Sequence, residues 1–121
     1  MKKIALLLTM GILAFNSWSC NETPTAPQIP GENEIWFRNG AVTPKNLNVS
    51  IGTTVTWTNM DVETHSVDSG TFMNPTQDFP SSKNLTEGER FSHRFTEAGS
   101  FPFYCSIHQT QQSETGTINV N

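Results

Sequence analysis

Cys105-Ser106-Ile107-His108 sets a thiol and an imidazole three residues apart in a chain of 121 residues. In a tight loop that spacing lets both side chains point into one pocket. A soft thiolate beside an imidazole selects Cu, Zn or Fe over Mg or Ca. Further donors are few: the chain has three histidines, His65, His93 and His108, and two cysteines, Cys20 and Cys105. If His65 joins the pair, two nitrogens and one sulfur make a trigonal set. With a weak fourth ligand, such a set suits a single copper ion. Cys-x-x-His alone is a weak signal, because the same pair could serve nucleophilic catalysis or a structural zinc site. A catalytic pair would leave His65 without a role.

The elements that must hold these groups are strands. From Glu34 onward the apolar residues recur with a period of two. Glu34 to Arg38 reads as a first strand. Leu47, Val49 and Ile51 alternate with Asn48 and Ser50, and Gly52-Thr53 turns the chain. Val55 and Trp57 alternate with threonines in a stretch rich in β-branched residues. His65 to Val67 is a short third segment. Residues 68–88 are crowded with Gly, Pro, Ser, Thr and Asn and read as a long irregular loop. Phe91 to Phe95, Ser100 to Cys105 and Thr115 to Val120 complete the set. No apolar stripe of helical period occurs beyond residue 15. The expected fold is therefore an all-β antiparallel sandwich of about seven strands, its core built on Trp36, Trp57, Phe91, Phe95 and Phe101 or Phe103.

The start of the chain belongs to a different regime. Met1-Lys2-Lys3 is basic, and the run Ile4 to Phe15 is apolar, which suits an export signal and is too short to span a bilayer as a mature helix. Cys20 closes that run after Ser19, as in the lipobox of bacterial lipoproteins, which it resembles. The resemblance implies cleavage before Cys20 and lipid on its sulfur and amino group. A disulfide to Cys105 is the alternative that an oxidising compartment would permit. The expected organisation is a signal peptide over 1–19, a lipid-anchored flexible linker over 20–33 and a metal-binding domain over 34–121. Three prolines and a glycine mark the linker. Without Lys2 and Lys3 the chain keeps 5 basic against 11 acidic side chains, a charge of −6. That balance argues against nucleic acid and leaves cationic partners at most.

Phe101 to His108, followed by Thr115-Gly116-Thr117-Ile118-Asn119-Val120, resembles the C-terminal copper loop of plastocyanin-like and amicyanin-like cupredoxins. Val55-Thr56-Trp57-Thr58-Asn59, with His65-Ser66-Val67 six residues on, is similar to the other half of their site. Gly88 to Phe91 and Phe95 to Gly99 match in type and order. The resemblance spans about Val42 to Val120. It implies a Greek-key, cupredoxin-like sandwich, one copper ion cycling between Cu(II) and Cu(I), and His65, Cys105 and His108 as equatorial ligands. It also implies a surface position for His108 as the electron exit, and redox proteins as partners of a monomeric carrier. One departure stands out. Where such proteins carry an axial methionine two residues before the glycine opening the last strand, this chain has Glu114. Gln111, Gln112 or no axial ligand are the alternatives. An oxygen donor there would favour Cu(II), lower the reduction potential and alter the colour.

Other groups take smaller parts. His93, between Phe91 and Phe95, reads as a structural histidine. Met60 and Met73 read as loop or filler residues, although Met60 could approach the metal. Asn59 and Ser66 are candidates for bracing the site, Ser66 by tying the two ligand loops together, and Ser106 for orienting the thiolate. A copper-delivery protein is the competing function, but it calls for exposed Met or His clusters that the sequence lacks. An oxidase or nitrite reductase needs a second copper centre, and only His93 remains to build one, so no enzyme is expected.

Overall fold

The protein is described by a computed structural model over residues 28–121; segment 1–19, Cys20 and the first part of the linker lie outside the described residues. Eight strands follow one another: β1 (Glu34–Arg38), β2 (Ala41–Thr43), β3 (Asn46–Val49), β4 (Thr54–Asn59), β5 (Asp68–Ser69), β6 (Arg90–Arg94), β7 (Gly99–Tyr104) and β8 (Gly116–Val120). They form two four-stranded sheets, β2-β1-β4-β6 and β3-β8-β7-β5. No helix among the described residues is long and apolar enough to cross a membrane.

The all-β sandwich matches expectation, with two corrections. The sheets are mixed: β1 runs parallel to β4, and β3 runs parallel to β8. Side-chain alternation reports which face is buried, and this period is the same whichever way the neighbouring strand runs. The chain leaves the first sheet after β2, adds β3 to the second and returns as β4, so β1 and β4 become neighbours through a crossover. The count is eight, because β2 and β5 span only three and two residues, too few for a period to show. Val49 ends β3, and Ile51 lies outside it, 53% exposed.

Ile35 and Phe37 of β1 and Val55 and Trp57 of β4 face Phe103, Ile118 and Val120 of the second sheet, all of them buried. Trp57 holds the centre. Phe79, Phe91, Phe95 and Phe103 surround its indole at centroid distances of 5.4–6.5 Å, in stacked, tilted and edge-on arrangements. Such aromatic pairs add to the area they bury. Trp36, on the opposite face of β1, is only partly buried and lies outside this cluster.

Glu34 fixes the entry to β1. Its carboxylate accepts hydrogen bonds from the Gly31 N–H at 2.8 Å, the Thr58 hydroxyl at 2.8 Å and the Arg90 guanidinium at 3.0 Å. Burial pushes its pKa up, but these donors outweigh burial and hold it at about 2 against an ordinary 4.5. The folded-state value is the depressed one, so the contribution to stability is full above the unfolded value and is lost as pH falls toward 2. Glu34→Gln is expected to cost roughly 1–2 kcal/mol near neutral pH, less than the whole shift because the exposed Arg90 is screened by solvent. Urea melts across pH would show the difference shrinking below pH 4.5; an equal loss at pH 2 and pH 7 would contradict the assignment.

Candidate metal centre

Two loops at one end of the sandwich supply the donors. The first follows β4. Asn59, fully buried, donates from Nδ2 to the carbonyls of Glu63 (2.7 Å) and Leu85 (2.8 Å), and its Oδ1 accepts the Asp61 N–H at 2.8 Å. These bonds shape the turn that leads into His65. The His65 main chain is clamped by Leu85, N–H to carbonyl at 3.1 Å and the reverse at 2.8 Å. Its ring lies flat on Phe37 of β1, with centroids 4.6 Å apart and planes at 12°. Behind the ring, Nε2 meets Asp61 Oδ2 at 2.9 Å. Asp61 is itself held by the main-chain N–H groups of Asn39 (2.6 Å) and Gly40 (3.2 Å) in the β1–β2 turn. Burial works to raise the Asp61 pKa, but those N–H groups and His65 hold it below the usual carboxylate range. With Nε2 engaged, His65 offers Nδ1 to the pocket.

The second loop joins β7 to β8. Cys105 is 1% exposed and takes the Ser66 N–H on its sulfur at 3.3 Å. Burial pushes the thiol pKa up, against the pull of the Ser66, His108 and Ile107 N–H groups. Ser66 joins the loops as expected, because its hydroxyl accepts the Ser106 N–H at 3.0 Å. Downstream, Gln111 donates its N–H to the His108 carbonyl, and Glu114 donates its own to the Gln111 carbonyl. A single 3-10 turn, Gln112–Glu114, follows. Lys45 Nζ reaches the Gln112 carbonyl at 2.8 Å, and the Ser113 hydroxyl reaches the Gly40 carbonyl at 2.6 Å. Gly116 then seats β8: a Cβ there would lie 2.5 Å from the Lys45 carbonyl and 2.6 Å from the Phe103 ring. Fixed at both ends, the turn carries the Glu114 side chain inward, 3% exposed.

The result is a cluster of His65, Cys105, His108 and Glu114 whose donor atoms all lie within 4.8 Å of one another. Nδ1 of His65 and Nδ1 of His108 stand 4.0 Å and 3.7 Å from Sγ. Glu114 Oε2 stands 2.9 Å from Nδ1 of His108 and 3.5 Å from Nδ1 of His65. One sulfur and two imidazole nitrogens converging on a common point fit a copper ion, and the carboxylate oxygen beside them is a donor of harder character. The His65 ring, backed by a carboxylate on its far nitrogen, has the arrangement that orients metal-binding histidines and raises their basicity.

Gln111 and Gln112 are exposed, as are Met60 and Met73, whereas Glu114 is buried in the cluster. His93 sits half-buried against the rings of Phe79 and Phe95, at 5.5 Å and 4.8 Å. Asp61, Asp68 and Phe37 act at the centre without having stood out in the sequence. A spacing of four from Asp61 to His65 and of two from Ser66 to Asp68 are the only linear traces they leave.

Residues 39–121 match the family described as copper binding proteins, plastocyanin/azurin family. Among solved structures, a purple cupredoxin from Nitrosopumilus maritimus is 32% identical with a TM-score of 0.64, covering 73% of this chain and 98% of its own. A methionine-to-glutamine mutant of amicyanin with Cu(I) aligns at 24% identity and a TM-score of 0.62, over 73% of this chain and 80% of its own. The copper-containing nitrite reductase of Thermus scotoductus SA-01 aligns at 23% identity and a TM-score of 0.62, over 94% of this chain but 25% of its own. The last two show the fold alone. No curated protein matches the chain. The chain belongs to the plastocyanin/azurin family of copper-binding proteins.

Proposed function

We propose that this protein is an exported one-electron carrier, with copper held by His65, Cys105 and His108 and by Glu114 in the axial position. The observation that carries the reading is the convergence of these four donors within 4.8 Å. Bound there, copper supplies the one-electron couple between Cu(II) and Cu(I). The protein's part is to keep the donors where they are in both states. His65 is stacked, clamped and hydrogen-bonded, and Cys105 is buried between the two loops, so neither has room to rearrange. A site this enclosed favours retention over delivery of the metal. His108 is the ligand with an open edge, 27% exposed at the side chain, and is the natural exit for the electron. Glu63 Oε2 lies 4.0 Å from its Nε2, so a redox partner would meet an exposed carboxylate there.

The relative from Nitrosopumilus maritimus is described as purple, and a Glu114 carboxylate among the donors is the feature of this chain that would shift its colour from blue. Export as a lipoprotein anchored through Cys20, to the periplasm or the cell surface, completes the proposal. It rests on the n-region, the apolar run and the Ser19-Cys20 step.

The test is the absorption and EPR spectrum of the Cu(II)-loaded protein. The reading predicts an intense thiolate-to-copper band in the visible, with copper bound one per chain. A loaded protein with no such band would overturn it.

A further inference from the structure

The hydroxyl of Ser66 has one proton and three oxygen or sulfur atoms within reach. Asp68 Oδ2 lies at 2.6 Å, Ser106 Oγ at 3.0 Å and Cys105 Sγ at 3.8 Å. The carboxylate is both the nearest acceptor and the only fully charged oxygen, and charge-assisted O–H···O⁻ bonds are the short, strong ones. A hydroxyl carries a single proton, so a bond to Asp68 is a bond withheld from sulfur. Asp68 is fixed for this task. It begins β5, paired opposite Tyr104, and the same Oδ2 lies 3.3 Å from the Ser106 N–H. Ser66 in turn keeps its main-chain N–H on the sulfur at 3.3 Å and takes the Ser106 N–H on its oxygen at 3.0 Å.

We propose that Asp68 is a positioning residue that captures the Ser66 hydroxyl proton and thereby keeps the Cys105 sulfur one hydrogen bond short. It acts through Ser66 and does not touch the metal-binding atoms. Hydrogen bonds to a metal-bound sulfur drain its charge and tune the metal, so withholding one leaves Cys105 a stronger donor. In this role Asp68 works in the same direction as an axial carboxylate, holding the reduction potential down. The inference rests on the reading of Cys105 as a copper ligand, but the proton's location does not depend on copper.

The experiment therefore has a metal-free arm and a loaded arm. In the metal-free protein, proton NMR should show a slowly exchanging, strongly downfield Ser66 hydroxyl, which Ser66→Ala and Asp68→Ala each remove. In the Cu(II)-loaded protein, Asp68→Ala frees the hydroxyl to swing onto Sγ. The thiolate-to-copper band should move to higher energy and the potential should rise. Asp68→Asn, which keeps an acceptor oxygen in place, should move the band less than Asp68→Ala. In a Ser66→Ala background, Asp68→Ala should leave the band where Ser66→Ala alone puts it. The same band shift with and without the Ser66 hydroxyl would mean that Asp68 acts by charge alone and would overturn the proposal. Failure of the parent protein to show any band would instead strike the copper reading and leave the NMR arm to decide the proton's position.

Discussion

Glu114→Met raises the reduction potential of the copper-loaded protein by roughly 100–200 mV, on the following arithmetic. Two unit charges about 4 Å apart interact by about 4 kcal/mol at an effective dielectric of 20. A one-electron step changes the metal's charge by one unit, so a carboxylate favours the oxidised state by an amount of that order. For one electron, 59 mV is a tenfold change in equilibrium constant, about 1.4 kcal/mol, which places the shift on the order of 170 mV. Methionine removes the charge and replaces a hard oxygen with a soft sulfur, which favours Cu(I) further. Glu114 is suited to this test because it is 3% exposed, so solvent screens it little. Glu114→Gln separates the two contributions, since it removes the charge and keeps an oxygen. It should recover most of the rise and leave the colour nearer to the parent's. Redox titration of the three proteins measures both effects; a potential unchanged in Glu114→Met would remove Glu114 from the site.

Asp61→Ala is expected to weaken copper binding by about 10- to 100-fold, the usual cost of losing a partner behind a metal-binding histidine. The physical cause is orientation. Nε2–H of His65 points at Asp61 Oδ2 at 2.9 Å, and that bond fixes which ring nitrogen faces the pocket. Asp61 also receives the Asn39 and Gly40 N–H groups, so Asp61→Ala loosens the β1–β2 turn as well. Asp61→Asn retains an acceptor oxygen and should fall between parent and Asp61→Ala in affinity. Competition against a copper chelator reads the affinity, and melting of the metal-free proteins reads the turn. A copper affinity unmoved in Asp61→Ala would show that the stack on Phe37 and the clamp from Leu85 suffice to hold the ring.

The two ligand loops were legible from the sequence for different reasons. Cys105 and His108 sit three apart in a short loop, so their meeting is local and needs no fold. His65 lies 40 residues away from Cys105, and only the likeness of its surroundings to a known copper site tied it to the pair. Glu114 was legible by its register with Gly116 but not by burial. Gln111, Gln112 and Glu114 are all polar, and a 3-10 turn pinned by Lys45 and Ser113 buries Glu114 while leaving the two glutamines exposed. Asp61 and Asp68 were hidden because an acidic residue in a loop ordinarily faces water. Nothing in linear order shows that the N–H groups of a distant turn, or a serine next to a ligand, will meet it. The parallel pairs were hidden because alternation carries no direction.

Those parallel pairs bear on the time course of assembly. Asn46 pairs with Thr117 and Val49 with Val120, so β8 joins β3 across some seventy residues of intervening chain. Contacts this distant in sequence form slowly, since the entropy of closing the loop is lost before the contact rewards it. The segment bearing Cys105, His108 and Glu114 is held between β7 and β8, so its final shape depends on β8 docking. His65 waits in a loop whose clamp at Leu85 lies in another stretch of chain again. The complete pocket is thus expected late, and an ion arriving early would find only the local Cys105–His108 pair, with His65 and Glu114 not yet brought to it. Capture of an ion by all four donors is therefore expected to wait on completion of the sandwich.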